Sequence, residues 1–312
     1  MLLSLENKYI GIFEFIEQQK IMKLAEIKKY LSEELIFLSH EIELNLEYVN
    51  QLPVLDKTNS FERLYYKESD IQRFWIPWTE ELGVWVYANA SRIDIIVKEN
   101  SQKSEITSSL TIGLSSVITG ACLNLDNQVA IHANAISLEE KAIAFVGYSG
   151  MGKSTLSTYC ASCGAGFVTD DVLTVDSNFF VQPGNPRIKL YSHTSKSLGL
   201  ETPEEEVSYK VFHNPIKLGA KLHNEPIALG VIYLLAESSD DKIYAEKLSH
   251  TQAIFELLQH SYYAHALIPN NPDLLNTYSS LVKQIPVKKL YYPRDFTVLP
   301  KVYEFLSEEI HQ

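Results

Sequence analysis

Cysteine is scarce. The chain has 312 residues and three cysteines, Cys122, Cys160 and Cys163, too few for a disulfide framework. Cys160 and Cys163 make a lone C-x-x-C with no second pair to complete a zinc site. They fall on a predicted helix, where small packing residues are the simpler reading. Basic excess is missing too: Lys and Arg total 27 against 39 Asp and Glu, a formal net charge of −12. Without surplus cations there is no counterion release to drive backbone binding, so nucleic acid is excluded as a partner. One nucleotide in a local positive site is not excluded. Long apolar runs are absent. The longest weakly polar stretch, Leu110 to Leu125, carries Ser, Thr, Gly and Asn and falls short of a spanning helix. The start, Met1 to Glu6, has no basic n-region. These features give no membrane partner and a cytoplasmic address. No internal repeat or low-complexity segment stands out. What is present, 46% hydrophobic and 21% charged residues, is the composition of a globular protein.

Residues 1 to about 45 read as helix, rich in Glu, Lys, Leu and Ile. From Leu44 to about Val97 the pieces are short and β-prone, among them Leu46 to Val49, Val84 to Tyr87 and Ile93 to Val97. Pro53 and the Asp56 to Ser60 cluster punctuate them. The polar run Lys98 to Ser104 marks a boundary between an N-terminal α+β region, 1–104, and a second domain, 105–312. The second domain opens with a helix, Ile106 to Leu123, and strands Val129 to Ile136 and Ala142 to Val146. A loop, a helix from Lys153 to Ser162 and a strand Phe167 to Thr169 follow. Later come a buried strand, Ala228 to Leu235, and helices at Thr251 to His260, Asp273 to Lys283 and Phe296 to Glu308. Strands alternating with helices predict an α/β core.

Gly147-Tyr148-Ser149-Gly150-Met151-Gly152-Lys153-Ser154 fits G-x-x-x-x-G-K-[ST]. Chance supplies such a match in on the order of one chain in a hundred of this length. Here an apolar strand enters it and a helix leaves it, as a phosphate-binding loop requires. Glycines let backbone N–H groups turn inward around phosphate oxygens. The helix N-terminus adds partial positive charge. Lys153 can reach the β- and γ-phosphates, and the Ser154 hydroxyl can bind Mg²⁺. The alternative is a glycine turn with a surface lysine.

The loop alone names a nucleotide and no reaction. Asp170-Asp171 closes the strand after the loop's helix. If that strand is a parallel neighbour of the one entering the loop, its end lies beside the phosphates. One carboxylate could then hold Mg²⁺ while the other takes the proton of an attacking hydroxyl. A solvated turn is the plain alternative. His132 stands inside a largely apolar strand, Ala130 to Ala135, and on its own reads more simply as a structural residue than a functional one.

Taken in order, Ile131-His132-Ala133, the glycine loop and Asp170-Asp171 resemble the motifs of the HPr serine kinase/phosphorylase catalytic domain. They are closer to its short relatives in peptide-modification gene clusters, lasso peptides included. Pro183-Gly184-Asn185-Pro186-Arg187 and Tyr292-Pro293-Arg294-Asp295-Phe296 add to the resemblance, which runs from about Ile106 to the end. It implies a mixed sheet related to the nucleotide domain of phosphoenolpyruvate carboxykinase. It implies ATP and Mg²⁺ as cofactors and a serine hydroxyl of a protein or peptide as acceptor. It also implies Asp171 as proton acceptor, Ser154 as the metal-binding hydroxyl, Lys153 on the phosphates and His132 in the active site, and the remaining acid of the pair, Asp170, is then assigned as metal support. The opposite assignment of Asp170 and Asp171 stays open, as does a homo-oligomer.

The chain departs from the bifunctional enzymes at three places. Thr155 stands where they carry Glu after the loop serine. Their Glu-Ile-Arg-Gly-Leu-Gly signature is absent, and Pro186 to Leu198 holds no carboxylate to replace it. The residues before Ile106 do not resemble their regulatory domain. A kinase without phosphorylase activity is the resulting expectation. Two rivals remain. Gly147 to Leu156 also fits a transport- or repair-type ATPase, and Leu248-Ser249-His250-Thr251-Gln252 faintly echoes the cassette ATPase signature, though a helix cap is simpler. A silent nucleotide-binding protein could instead dock a partner on Tyr262, Tyr263, Tyr291, Tyr292, Trp75, Trp78 and Trp85.

Overall fold

The computed structural model describes residues 43–53, 65–68, 71–87, 90–99, 101, 109, 113–202 and 211–310. The helix expected over residues 1 to about 45 lies outside the described residues as far as residue 42, and from Glu43 the chain is strand instead. The Asp56–Ser60 cluster and most of the first turns of the helix expected from Ile106 also lie outside the described residues. The chain divides into two compact units, Met1–Asp126 and Asn127–Gln312. Among the described residues no helix is long and apolar enough to cross a membrane.

The first unit holds a five-stranded sheet of β1 (Glu43–Val49), β2 (Tyr65–Glu68), β3 (Ile71–Pro77), β4 (Leu82–Tyr87) and β5 (Arg92–Lys98). Its order is β1-β5-β4-β3-β2, with β1 parallel to β5 and the other pairs antiparallel. Alternation decides its faces. Phe74 pairs with Val86, Ile76 with Val84 and Val84 with Ile95, all fully buried. Trp75 and Trp85 meet across strands, ring centroids 4.9 Å apart. A short helix, α1 (Thr119–Leu125), follows a π-helical turn.

The second unit begins with β6 (Val129–Leu138), β7 (Lys141–Val146), α2 (Lys153–Ser162), β8 (Gly166–Thr169), β9 (Val172–Val175) and β10 (Phe180–Val181). It continues through β11 (Ile188–Leu190), α3 (Ser192–Ser197), β12 (Val211–His213), β13 (Ile227–Glu237) and β14 (Tyr244–Lys247). It ends with α4 (His250–Gln259), α5 (Ala264–Leu267), α6 (Pro272–Gln284), β15 (Val287–Tyr292) and α7 (Leu299–Glu309). The eight-stranded sheet runs β10-β9-β6-β7-β13-β15-β14, with β8 also paired to β6. Strands β7, β13 and β15 are mutually parallel in that order, and the architecture is mixed α/β.

The parallel trio has the sequence such strands need. Ala142 to Val146 is wholly apolar and buried because layers cover both faces. On one side Phe145, Tyr233, Leu235 and Leu290 pack with Leu156 and Cys160 of α2 and with Leu299, Val302 and Leu306 of α7. Each apolar side chain so buried contributes about 1.5–3 kcal/mol. Leu299, Val302 and Leu306 follow the i, i+3, i+7 spacing of an amphipathic helix. Cys160 belongs to this core, its thiol pushed up by burial, whereas Cys163 is exposed at the helix end. Cys160 serves packing.

One expectation about neighbours fails. The strand carrying Asp170 and Asp171 is not adjacent to β7. The two-residue turn Glu139-Glu140, with φ of 48° and 61°, folds β6 back beside β7 as a hairpin. Strands β8 and β9 then line up along the far edge of β6. β6 is the strand between.

Candidate functional site

The parallel strands fix where a site can form, since their C-terminal ends open on one side. Val146 ends β7 and Tyr292 ends β15, so Gly147–Gly152 and Tyr292–Phe296 leave from the same edge. Gly150 and Gly152 take φ of 82° and 89°, the left-handed region that side chains avoid. Gly152 is the N-cap of α2 and no side chain caps that helix, so its first-turn N–H groups present their partial positive charge to the loop. The Lys153 side chain folds back over the loop. The residue is 6% exposed, and its ammonium donates to the Gly147 carbonyl at 2.6 Å. Arg294 donates to the Gly150 carbonyl, clipping the loop from outside.

β6 organises the carboxylates. Its register pairs His132 with Val172 and Ala135 with Thr169, which sets Asp171 and Asp170 opposite Ala133 and Asn134. The Asp-Asp pair thus interrupts one strand line and does not end it. Asp171 has φ of 72°, a conformation Asp tolerates better than most residues. Its carbonyl is fixed by the Ala133 N–H at 3.0 Å and the Tyr262 hydroxyl at 2.9 Å. Thr169 steadies the turn by donating from Oγ1 to the Val172 carbonyl at 2.8 Å. Gly184 lies so close to Thr169 that a side chain there would clash, which accounts for the glycine in Pro183–Arg187.

The two acids face different partners. Asp170 Oδ1 accepts from Asn134 Nδ2 and lies 3.4 Å from Ser154 Oγ, while its Oδ2 accepts the Lys189 N–H at 2.9 Å. Asp171 forms a buried ion pair with the Lys189 ammonium. Asn134 is fully buried, and its Nδ2 also donates to Ser157 at 3.1 Å and Ser154 at 3.3 Å. Its Oδ1 is buried with no hydrogen-bond partner, a costly arrangement.

These donors suit Mg²⁺. The ion takes oxygen ligands at about 2.0–2.1 Å in an octahedron, through one or two carboxylates with phosphates and water. Neighbouring ligand oxygens then sit roughly 3 Å apart, close to the 3.4 Å between Ser154 Oγ and Asp170 Oδ1. Asn134 presents Nδ2 to Ser154 and Asp170, so its Oδ1 would join such a site only with the amide turned over. Among the described residues no group of three or more His, Cys, Asp or Glu gathers as a metal centre.

His132 is tied to the same turn. Tyr262 donates its one hydroxyl proton to the Asp171 carbonyl, so His132 Nδ1, 3.0 Å from the Tyr262 hydroxyl oxygen, must be the donor to that hydroxyl. In the neutral ring Nε2 is then the acceptor. Burial first, and then the Asp171 and Asp170 charges, push the Tyr262 hydroxyl well up, keeping it a donor. His260, whose carbonyl accepts the His132 N–H at 2.8 Å, is pushed down to about 4 by burial and by the Lys153 charge. Its ring lies edge-on to Tyr148, 4.5 Å between centroids. Tyr148 also donates to Gln259 at 2.7 Å.

The structure therefore gathers Lys153, Ser154, Asp170, Asp171 and His132 around β6 and the loop. Ser149 lies on the exposed rim; Met151 and Thr155 line a cavity with Gly150 and Gly152. Asn134, Lys189, Tyr262 and Arg294 were not expected as site residues. Asn134 could have been found, standing two residues from His132 on the same face of an apolar strand. Lys189 carries no such signal. Leu248–Gln252 is a helix start: Ser249 caps α4 in a reciprocal capping box with Gln252. Of the aromatics considered for docking, Trp75, Trp85, Tyr262 and Tyr292 are core residues.

No family model and no curated protein matches the sequence. Among solved structures the chain is similar to the Hpr(Ser) kinase/phosphatase from Coxiella burnetii. That likeness has 13% identity and a TM-score of 0.32, and covers 58% of this chain and 95% of that one.

Proposed function

We propose that this protein is an ATP- and Mg²⁺-dependent kinase that transfers the γ-phosphate to a serine hydroxyl of a protein or peptide. The observation that carries the reading is the convergence of Lys153, Ser154, Asn134, Asp170 and Asp171 at one end of the parallel strands. Glycine backbone, helix N-terminus and Lys153 supply positive charge for the phosphates. To reach them the Lys153 ammonium exchanges its bond to the Gly147 carbonyl for phosphate oxygens. Ser154 and Asp170 would hold Mg²⁺, which neutralises charge on the β- and γ-phosphates.

In the transfer, the acceptor oxygen forms a bond to the γ-phosphorus as the bond to the β–γ bridging oxygen breaks. The acceptor proton passes to the Asp171 carboxylate. Lys189 supports this role by orienting that carboxylate, while its own backbone N–H holds Asp170. His132 Nε2 is placed by Tyr262 as a further acceptor near the same turn. The polypeptide acceptor rests on the family resemblance, and the N-terminal region is its proposed docking surface. A net charge of −12 favours a neutral or basic partner segment.

The test is γ-labelled ATP with a neighbouring-gene peptide, HPr and a metabolite panel, followed by mass mapping of the modified residue. Labelled serine in a polypeptide is expected. Asp171→Asn, which keeps size and tolerates the left-handed backbone, should abolish transfer while ATP still binds. Label in a metabolite alone, or phosphate released with no acceptor modified, refutes the assignment.

A further inference from the structure

A cavity of about 190 Å³ opens against the glycine loop, and Asp170 is not among its walls. Its walls include Met151, Thr155, His193, Tyr292, Arg294 and Phe296. They come from the loop, the first turn of α2, α3 and the chain leaving β15. We propose that this cavity receives the base and ribose of the nucleotide, with Phe296 as the principal stacking surface. The proposal rests on the phosphate-loop reading and extends it to the other end of the ligand.

Direction comes from the helix. Successive residues of an α-helix point about 100° apart. Ser154 turns toward Asp170, and Thr155 turns into the cavity. A linear ligand whose terminal phosphates sit by Lys153 and Ser154 therefore has its remaining end on the Thr155 side. Size limits the occupant. Pockets for drug-sized ligands run to about 300–1,000 Å³, so this one suits a single heterocycle with its sugar and not a polypeptide segment. Chemistry selects among small groups. Phe296 is 41% exposed, a large apolar ring left at the surface where a flat ligand would cover it. Arg294 and the rings of Tyr292 and His193 add surfaces that pair well with an aromatic heterocycle. Asp295, also in the wall, brings carboxylate oxygens suited to sugar hydroxyls.

The walls are also anchored where a base reader needs rigidity. Arg294 is bonded to the Gly150 carbonyl, and Asp295 accepts the Thr297 N–H at 2.7 Å, holding the turn that carries Phe296. A Cβ on Gly152 would lie 3.2 Å from the Tyr292 hydroxyl, so loop and aromatic wall are in direct register.

Two binding measurements on the full chain test this, with Mg²⁺ present throughout: calorimetric titration with ATP and with inorganic tripolyphosphate. ATP should bind at least about tenfold tighter than tripolyphosphate. Phe296→Ala should weaken ATP roughly 5- to 100-fold, the range of one stacked base, and leave tripolyphosphate unchanged. Photolabelling with 8-azido-ATP should place the adduct in the 292–299 segment or on His193. Equal affinity for ATP and tripolyphosphate, an unaffected Phe296→Ala, or an adduct confined elsewhere overturns the base site while leaving the phosphate loop standing. Failure of both ligands to bind overturns the loop reading and the base site with it.

Discussion

Lys189→Met probes the buried Lys189–Asp171 ion pair at the site. Lys189 and Asp171 are each 8% exposed, so removing the ammonium takes its closest cation from a carboxylate that water scarcely reaches. Breaking one side of such a pair costs about 3–5 kcal/mol, against a total stability of about 5–15 kcal/mol. For a unit of this size that corresponds to a fall in melting temperature of roughly 6–20 °C. Methionine keeps the length and apolar stem, and the backbone N–H that holds Asp170 Oδ2 at 2.9 Å is untouched. Combining it with Asp171→Asn removes the orphaned charge and should recover most of the loss, because deleting a whole buried pair is far cheaper than halving it. Urea unfolding of the wild type, both singles and the double gives the coupling energy directly. A Lys189→Met loss below about 1 kcal/mol, the value of a solvent-exposed pair, would refute the reasoning, as would a double mutant whose loss equals the sum of the singles.

Further outcomes follow from the same contacts. His260 titrates at about 4 in the folded protein against 6.5 for the free side chain. The unfolded chain therefore takes up a proton first, and stability should fall as pH drops from about 6.5 toward 4. His260→Gln should flatten that part of the curve of melting temperature against pH; an unchanged curve would show that another group sets it. Ser249→Ala removes the reciprocal cap of α4 and should cost about 1 kcal/mol in urea unfolding, without altering nucleotide binding. A matching loss of binding would contradict the assignment of Leu248–Gln252 to a helix cap alone.

Much of the second unit was legible because its signals are local. The loop, the helix from Lys153 to Ser162 and the strands β6 and β7 rest on short-range pattern, and each appears where expected. The facing of Asp170 and Asp171 was not legible. It depends on a strand break and on a left-handed residue, and neither is visible when alternation is assumed to run on. The adjacency of β8 to β6 rather than β7 is a choice of edge that no spacing encodes. Lys189 and Arg294 reach the site through sequence separations of 18 and 144 residues, and a lysine in a β-prone stretch looks like any solvated lysine. Asn134 is a wholly buried amide beside the loop, yet in sequence it differs from a solvated strand asparagine only by its place two positions after His132.

The placement of β15 has a consequence for how this protein is made. The strand lies between β13 and β14, yet it is synthesised after both. As the chain emerges from the ribosome, β14 has no partner to pair with, and the glycine loop waits for Arg294 until 144 more residues have been added. Long-range pairing of this kind slows folding. The nascent unit holds an open sheet edge until its last strand is made, and an unpaired edge of that kind is prone to mispairing.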